Sequence, residues 1–362
     1  MKVIITAGGT GGHIYPALAI INKIKEKEPN STFLYIGTKD RMEADIIPSK
    51  GIPYLGIEMK GLNRKNPFKN ISVLRKTLKN VKFLKKKIKE FDPDIVIGVA
   101  GYVTAPVIYA AKKMGYKTFI HEQNSEPGLS NKFLSRYADK IGVSLEASIK
   151  HFPKKKVIYT GNPRSEEVYV KEKVSKDKLG LDLSNDKKLV VMVMGSLGSN
   201  SMNEHFKNTL PLFKNKDYEV VFVTGKAYYD EYKSIKTDSN VKIVPYLDNM
   251  VDVLKNTDLI VSRAGATSIA EITALGIPSI IVPSPYLTHN HQIKNGDVLA
   301  NNKCSIVIQE KEYNELEFVS TIDKILNDKE LYNTLKTNSY NMGVRDSVTR
   351  IYTVLRNMID GE

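Results

Sequence analysis

The segment TAGGTGGHIYP, residues 6–16, places four glycines and a histidine directly after a short apolar run. The apolar run predicts a strand, and the residues that follow the glycines predict a helix, so the glycines form the turn between them. Unhindered N–H groups and a helix N-terminus at the end of a strand stabilise a phosphate or diphosphate. This segment therefore predicts an anion-binding loop.

His13 stands in the first turn of the helix predicted after that loop. A histidine titrates near neutral pH and can accept the proton of an incoming hydroxyl group. The alternative is that His13 only caps or packs the turn. The sequence has neither a G-x-S-x-G motif nor a Cys–His pattern, so no covalent nucleophile is expected.

Two further glycine turns follow apolar runs in the second half of the chain. In VMVMGSLGS, Ser196 offers a hydroxyl and an N–H group to an anion. In SRAGATSIAE, the backbone of Ala264–Thr267 begins a helix, and Glu271 lies one turn inside it, where it can accept hydrogen bonds from ribose hydroxyls. The alternative for Glu271 is a solvent-facing helix residue. A nucleotide diphosphate is the expected ligand, but not a dinucleotide, because Ile14 occupies the third glycine position of the fingerprint.

Neither a metal nor a cofactor is expected. The pair Asp92-x-Asp94 comes before a predicted strand, which favours a turn at the amino end of that strand. His289 and His291 flank Asn290 in a loop that offers no third ligand. The charge of a diphosphate would instead be balanced by helix termini and basic side chains.

The strands alternate with helical patterns in two series, which predicts an α/β fold of two Rossmann-like parallel-sheet domains. The first series is Val3–Ala7, Thr32–Ile36, Asp94–Val99, Thr118–His121 and Val157–Thr160. The second is Leu189–Met194, Glu219–Thr224, Val241–Pro245, Leu259–Ser262, Ser279–Val282 and Ser305–Ile308. The breakers in TGNPR place the boundary there, giving domains 1–161 and 162–340, with a helix in 341–362 packing back on the first domain.

The length and composition of the chain indicate which class of protein it belongs to. A chain of 362 residues with 41% hydrophobic and 26% charged residues can fold as two globular domains. Its one cysteine, Cys304, excludes an internal disulfide framework and indicates a reducing compartment. No apolar run reaches the roughly 18 residues of a membrane span, and no secretion signal is recognisable, so a cytoplasmic location is expected.

The net charge of +14 is concentrated in one segment. From Lys60 to Lys89 there are twelve Lys or Arg and no Asp or Glu. A cationic helix over Pro67–Lys89 would have one apolar stripe, formed by Ile71, Leu74, Leu78, Val81, Leu84 and Ile88. Such a helix can bind an anionic membrane surface, or it can simply expose a solvated face. No nucleic-acid partner is expected, because neither RNA-binding aromatic motifs nor zinc-ligand spacings accompany the charge.

Eight motifs in order resemble the MurG family of bacterial N-acetylglucosaminyltransferases, over nearly the whole chain. They are GGTGGHIYP (8–16), AGYVTAP (100–106), HEQNSEPGLSN (121–131), TGNPR (160–164), MGSLGS (194–199), YLDNM (246–250), SRAGATSIAE (262–271) and HQIKN (291–295). The resemblance implies a GT-B architecture, in which two Rossmann-like domains face each other across a cleft. It also implies an inverting, metal-independent reaction.

The resemblance implies that N-acetylglucosamine (GlcNAc) passes from UDP-GlcNAc to the 4-hydroxyl of N-acetylmuramic acid (MurNAc) in lipid I. The product, lipid II, serves peptidoglycan synthesis, cell shape and cell division, and the enzyme would act as a peripheral protein at the cytoplasmic face of the membrane, with other cell-wall synthesis proteins as partners. A UDP-GlcNAc 2-epimerase or a glycolipid synthase of the same architecture is the alternative.

Site residues carry over motif by motif. The first domain supplies the base His13 and contacts to the donor sugar from Thr10, Gly11, Gly12 and Asn124. The residues expected to bind the UDP-sugar are Arg164, Ser196, Leu247, Ala266, Thr267, Glu271, Gln292 and Asn295.

Overall fold

The computed structural model describes residues 1–61, 70–195, 197–286 and 290–361, with the backbone alone for residues 71–74. The chain divides into two compact units. Unit 1 comprises Met1–Glu166 and Asp346–Glu362, and unit 2 comprises Glu167–Arg345.

Unit 1 is built on a parallel sheet. Its described strands are β1 (Lys2–Thr6), β2 (Thr32–Thr38), β3 (Tyr54–Ile57), β4 (Ile95–Gly98), β5 (Lys117–Glu122), β6 (Lys140–Val143) and β7 (Val157–Tyr159). They pair in parallel in the order β3-β2-β1-β4-β5-β6-β7. The five predicted strands are confirmed, whereas β3 and β6 were not predicted, because four residues that include a glycine give little strand signal.

Helices cover both faces of this sheet. The described helices are α1 (Gly11–Lys27), α2 (Glu43–Ser49), α3 (Asn70–Phe91), α4 (Thr104–Lys113), α5 (Leu129–Leu134), α6 (Pro163–Val170), which ends in unit 2, and the C-terminal α14 (Ser347–Asp360). Successive strand residues point to opposite faces. Val3 and Ile5 accordingly pack in the cluster that α1 and α14 cover, and Ile4 packs in the cluster that α3 and α4 cover.

The C-terminal helix belongs to unit 1 although unit 2 precedes it in the chain. Ile351 and Leu355 of α14 are fully buried in the cluster that contains the apolar face of α1. The hydroxyl of Tyr352 donates a hydrogen bond to Glu28, just after α1, over 3.0 Å. The last helix therefore completes the core of unit 1.

Unit 2 repeats the parallel architecture. Its described strands are β8 (Lys188–Val193), β9 (Tyr218–Val223), β10 (Val241–Val244), β11 (Leu259–Ser262), β12 (Ser279–Ile281) and β13 (Ser305–Val307), in the order β10-β9-β8-β11-β12-β13. Its described helices are α7 (Asn200–Thr209), α8 (Tyr229–Tyr232), α9 (Met250–Leu254), α10 (Ala266–Leu275), α11 (His291–Asn301), α12 (Glu315–Asn327) and α13 (Lys329–Met342). All six strands predicted for this half are confirmed.

Strand order fixes where each unit can bind a ligand. In unit 1 the order reverses beside β1 and β4, and in unit 2 it reverses beside β8 and β11. Ligands of doubly wound sheets bind beyond the carboxyl ends of strands at such reversals. The glycine turns after β1, β4, β8 and β11 occupy these positions.

The cationic helix α3 departs from its predicted pattern. Leu84 and Ile88 are fully buried, but Leu78 is 67% exposed. Phe83 lies off the predicted stripe, where an exposed apolar side chain is expected, and it is 41% exposed. The prediction of a single apolar stripe is wrong at Leu78. Leu78 comes six positions before Leu84 in the helix, so its side chain points about 120° away from that of Leu84. Pro67 and the two residues after it lie outside the described residues. None of the helices in the described ranges is long and apolar enough to span a membrane.

Candidate functional site

The glycine loop of unit 1 runs from Gly8 to the start of α1. Thr10 is the N-cap residue of α1, and its carbonyl oxygen accepts hydrogen bonds from the N–H groups of His13 and Ile14, over 3.0 and 3.2 Å. Thr10 and Gly12 are exposed and Gly11 is half-buried. The loop thus presents the predicted residues at the N-terminus of a 17-residue helix, where a negative charge is stabilised.

His13 is held by the same loop. Its Nδ1 lies 2.9 Å from the carbonyl oxygen of Gly8. A carbonyl oxygen can only accept, so Nδ1 carries the hydrogen, and Nε2 of the neutral ring has the free lone pair. The contact fits a positioned base, and it is also the turn-packing contact of the alternative interpretation, so the role of His13 stays a prediction.

A second glycine turn packs on the first. Gly101, after β4, has φ of +94°, and a Cβ atom there would lie 2.6 Å from the carbonyl oxygen of Gly8. Any side chain at position 101 would therefore push the two loops apart. Close backbone packing at the reversal point of the sheet explains the glycine in AGYVT.

Sequence reasoning missed a buried carboxylate beneath the first loop. Glu43, the first residue of α2, is fully buried and accepts a hydrogen bond from the N–H of Gly9 over 3.0 Å. That N–H group is consequently engaged inside the protein. A signal existed, since β1 and β2 pair and the loops that follow them must be neighbours.

Asn124 lies in a loop organised by another buried carboxylate that sequence reasoning did not single out. Glu122, at the end of β5, accepts hydrogen bonds from the backbone N–H of Asn124 at 3.0 Å and from the side chain of Asn131 at 2.9 Å. Beside it, burial lowers the pKa of His121 to about 4, although the hydrogen bond to the carbonyl oxygen of Gly161 acts in the opposite direction. The HEQN motif thus encodes mostly support for the loop, with Asn124 half-buried at its surface.

Arg164 lies in the first turn of α6, in the part of the chain that belongs to unit 1. Its guanidinium carbon is 5.9 Å from the ring centroid of Tyr15, which follows His13 in α1. A cation over an aromatic face gains electrostatic attraction and is held in place by it. The contact therefore holds the basic group against α1.

In unit 2 the turn after β11 leads into α10 as predicted. Gly265 is the N-cap residue, and the helix begins at Ala266. Ala266, Thr267 and Glu271 are half-buried, and four residues separate Thr267 from Glu271, so the two share a helix face. This geometry suits a ligand that contacts the helix N-terminus with its diphosphate and Glu271 with its ribose.

The other unit 2 residues that are expected to bind the UDP-sugar differ in their burial and hydrogen bonds. Leu247 is 4% exposed and packs in the core, which leaves its main chain as the group that can face a base. Gln292 accepts a hydrogen bond from the N–H of Ser284 over 2.8 Å. Asn295 is fully buried and donates to the carbonyl oxygen of Ala264 over 3.1 Å, which fixes the turn before α10. Ser196 lies outside the described residues.

A buried arginine, also missed at the sequence level, links the two turns of unit 2. Arg263 is 5% exposed and pairs with Glu310 at 2.6 Å. It also donates to the hydroxyl of Ser199 over 2.7 Å, and Ser199 is the N-cap residue of α7. Ser199 makes no side-chain capping bond to its own helix; its hydroxyl instead accepts the hydrogen bond from Arg263.

Within the described ranges, no three His, Cys, Asp or Glu side chains are grouped so that they could hold a metal ion. The expected absence of a metal remains a prediction.

The matches to known proteins extend over almost the whole chain. Residues 3–143 match the glycosyltransferase family 28 N-terminal domain, and residues 189–351 match the glycosyltransferase family 28 C-terminal domain. A Bacillus cereus protein named UDP-N-acetylglucosamine–N-acetylmuramyl-(pentapeptide) pyrophosphoryl-undecaprenol N-acetylglucosamine transferase 1 is 44% identical over 99% of this chain and 100% of its own length. A Bacillus licheniformis protein of the corresponding name is 43% identical over 99% of both chains.

Solved structures support the fold. A crystal structure of Acinetobacter baumannii MurG superposes with a TM-score of 0.79 at 22% identity, covering 98% of this chain and 99% of that one. A UDP-GlcNAc 2-epimerase from Neisseria meningitidis, bound to UDP-GlcNAc, gives a TM-score of 0.67 at 16% identity, covering 99% of this chain and all of that one. The GT-B fold class is confirmed, and the chain belongs to glycosyltransferase family 28.

Proposed function

We propose that this protein transfers GlcNAc from UDP-GlcNAc to the 4-hydroxyl of MurNAc in lipid I, which yields lipid II for peptidoglycan synthesis. The observation that carries the proposal is the 44% identity, over 99% of the chain, with a relative whose name states this donor and this acceptor. The epimerase shares the architecture, but at 16% identity that likeness extends to the fold alone.

Unit 2 binds the donor in this proposal. The N-terminus of α10, at Ala266 and Thr267, stabilises the diphosphate, and Glu271 accepts hydrogen bonds from the ribose. Ser196 adds a hydrogen-bond donor, and the main chain at Leu247 faces the uracil. Gln292 lies at the sugar, and Asn295 acts near it by holding the turn at Ala264.

Unit 1 binds the acceptor and supplies the base. The loop Thr10–Gly12 and the N-terminus of α1 stabilise the diphosphate of lipid I. The same loop and Asn124 also contact the donor sugar, and Arg164 binds the UDP-sugar. Nε2 of His13 takes the proton of the MurNAc 4-hydroxyl as that oxygen attacks the anomeric carbon of GlcNAc. The bond between this carbon and the diphosphate breaks, UDP leaves, and inversion gives a β-1,4 linkage.

Helix N-termini and Ser196 balance the charge that develops on UDP, so the proposed reaction uses no metal. Fixed N–H donors of this kind act without reorganising during the reaction.

The acceptor carries a polyprenyl chain, so the reaction takes place at a membrane surface. We assign the docking surface to α3, where Leu78 and Phe83 project apolar groups among exposed basic residues that include Lys79, Lys82 and Lys85. Apolar groups within a cationic face suit anionic headgroups. The proposal includes a peripheral position at the cytoplasmic face of the cell membrane.

A coupled assay for UDP release tests the activity. The proposal expects UDP release that depends on a water-soluble lipid I analogue, together with thermal stabilisation by UDP but not by an oligonucleotide. Stabilisation by the oligonucleotide alone would contradict the proposal.

A further inference from the structure

A single peptide group in the glycine loop joins two side chains from different elements. The N–H of Gly9 donates to Oε2 of Glu43 over 3.0 Å, and the carbonyl oxygen of Gly8 accepts from Nδ1 of His13 over 2.9 Å. These two groups belong to the same peptide bond, because the carbonyl of residue 8 and the N–H of residue 9 flank one C–N bond. Glu43, one peptide and His13 thus form a continuous hydrogen-bonded chain.

We propose that Glu43 is a positioning residue that acts on His13 through this peptide. The inference rests on the proposed function, in which Nε2 of His13 accepts the acceptor's proton. Glu43 itself touches neither substrate, since the side chain is fully buried.

The surroundings of Glu43 are built to hold a carboxylate. Its other oxygen accepts hydrogen bonds from the N–H of Thr38 over 3.1 Å and from the Thr38 hydroxyl over 2.7 Å. Every one of these partners donates, as a charged carboxylate requires. A Cβ atom on Gly8 would collide with the carboxylate, and a Cβ on Gly37 would lie 2.7 Å from its Cγ. Both glycines therefore leave room for Glu43.

The peptide transmits the effect because its N–H and C=O bonds point in opposite directions along one planar unit, so that their dipoles are parallel and reinforce each other. A negative charge on the N–H side polarises the carbonyl and strengthens its bond to Nδ1–H, as hydrogen-bond chains do in a low-dielectric interior. This fixes the tautomer in which Nε2 is free. It also offsets the positive charge that the ring gains on accepting a proton, as a carboxylate does for a catalytic histidine it contacts directly.

The titratable groups that face Glu43 do not compete for this role. Burial, and then the charge of Glu43, raise the pKa of both Tyr35 and Tyr54. Asp40 and Asp45 raise the pKa of Tyr54 further. Both phenols are accordingly neutral at physiological pH.

On the side of α1, the guanidinium of Arg164 lies over the ring of Tyr15. It carries the same charge throughout the accessible pH range.

The test is a double-mutant cycle in the full-length protein. E43Q keeps the shape of the side chain but loses the charge and one acceptor oxygen, and we expect kcat to fall by about 10- to 100-fold, as for other carboxylate partners of a histidine. The KM for UDP-GlcNAc should not change. Because Glu43 acts through His13, the double variant H13A/E43Q should be no slower than H13A.

The matched control is Y35F. It removes the hydrogen bond that the Tyr35 hydroxyl donates to the carbonyl oxygen of Ala7 over 3.0 Å, which loosens the same loop without touching the chain to His13. Its kcat should stay close to that of the unmodified protein. A loss in Y35F equal to that in E43Q, or a multiplicative loss in H13A/E43Q, would show that Glu43 only supports the fold and would overturn the inference.

A second measurement needs no variant. The ¹⁵N chemical shifts of labelled histidine in the unmodified protein report the tautomer of His13, and the inference requires hydrogen on Nδ1. Hydrogen on Nε2 overturns it even if E43Q fails to fold. Full activity in H13A would instead remove the base from the proposed function, and the inference with it, whereas a slow H13A with a multiplicative double variant would remove the inference alone.

Discussion

The guanidinium of Arg263 and the carboxylate of Glu310 form an ion pair at 2.6 Å in which the side chains are only 6% and 5% exposed. Removing one member of such a pair leaves a buried charge without its partner. We predict that R263M lowers the free energy of unfolding by about 3–5 kcal/mol. The double variant R263M/E310M should lose less than the sum of the single losses.

Denaturant unfolding of the full chain measures this prediction. The control is K242M, because Lys242 pairs with Asp182, whose side chain is 99% exposed. Exposed pairs contribute at most about 1 kcal/mol. A loss in R263M no larger than that in K242M would contradict the buried-pair interpretation.

His13 is predicted to act on the chemical step. H13A should lower kcat by about two to four orders of magnitude, the usual contribution of a general base. Binding of UDP, measured by calorimetry, should be nearly unaffected, because His13 is not among the residues expected to bind the nucleotide. H205A, which removes a half-exposed histidine of α7, is the control and should retain activity. An unchanged kcat in H13A would exclude the proposed base.

The lowered pKa of His121 predicts that the protein becomes less stable to unfolding at acidic pH. Burial lowers its pKa from 6.5 to about 4, so between these values the unfolded chain binds more protons than the folded one. The contribution of His121 is complete above pH 6.5 and is lost as the pH falls towards 4, by up to about 3 kcal/mol. In urea unfolding between pH 7 and 4.5, H121Q should show a shallower decline than the unmodified protein. Parallel declines would mean that His121 does not contribute.

The charge of α3 predicts salt-sensitive membrane binding. K79E/K82E/K85E should weaken binding to phosphatidylglycerol vesicles by at least about a hundredfold, since each basic residue near such a surface contributes about 1 kcal/mol. Sedimentation with vesicles provides the measurement. The control K207E/K214E/K236E makes the same change in net charge on exposed lysines of unit 2. Equal weakening in both triple variants, or unchanged binding in the first, would mean that α3 only exposes a solvated face and does not bind the membrane.

Local patterns accounted for much of the fold. The strand, glycine turn and helix at residues 2–27 were predictable because β-branched runs, glycines and helical periodicity are short-range signals. The same holds for the turn that leads from β11 into α10. In contrast, four-residue strands such as β3 were missed, because neighbours across the sheet stabilise them.

The supporting residues could not be read from spacing. Glu43 holds Gly9, 34 positions away, and Arg263 holds Glu310, 47 positions away. Parallel strands are joined by long crossover connections, so residues that meet beside such strands lie far apart in the sequence. Leu78 shows that local periodicity also has a limit. Periodicity identified an apolar stripe on α3, but it could not show which residues of the stripe would be buried in the core.

The transfer reaction itself is tested most directly by the structure of its product. The protein is incubated with UDP-GlcNAc and a soluble lipid I analogue, and the purified product is characterised by mass spectrometry and NMR. The account predicts one UDP released for each new GlcNAc-β-1,4-MurNAc linkage, with no reaction when the acceptor is omitted. Conversion of UDP-GlcNAc to its 2-epimer, or UDP formation that does not depend on the acceptor, would contradict it.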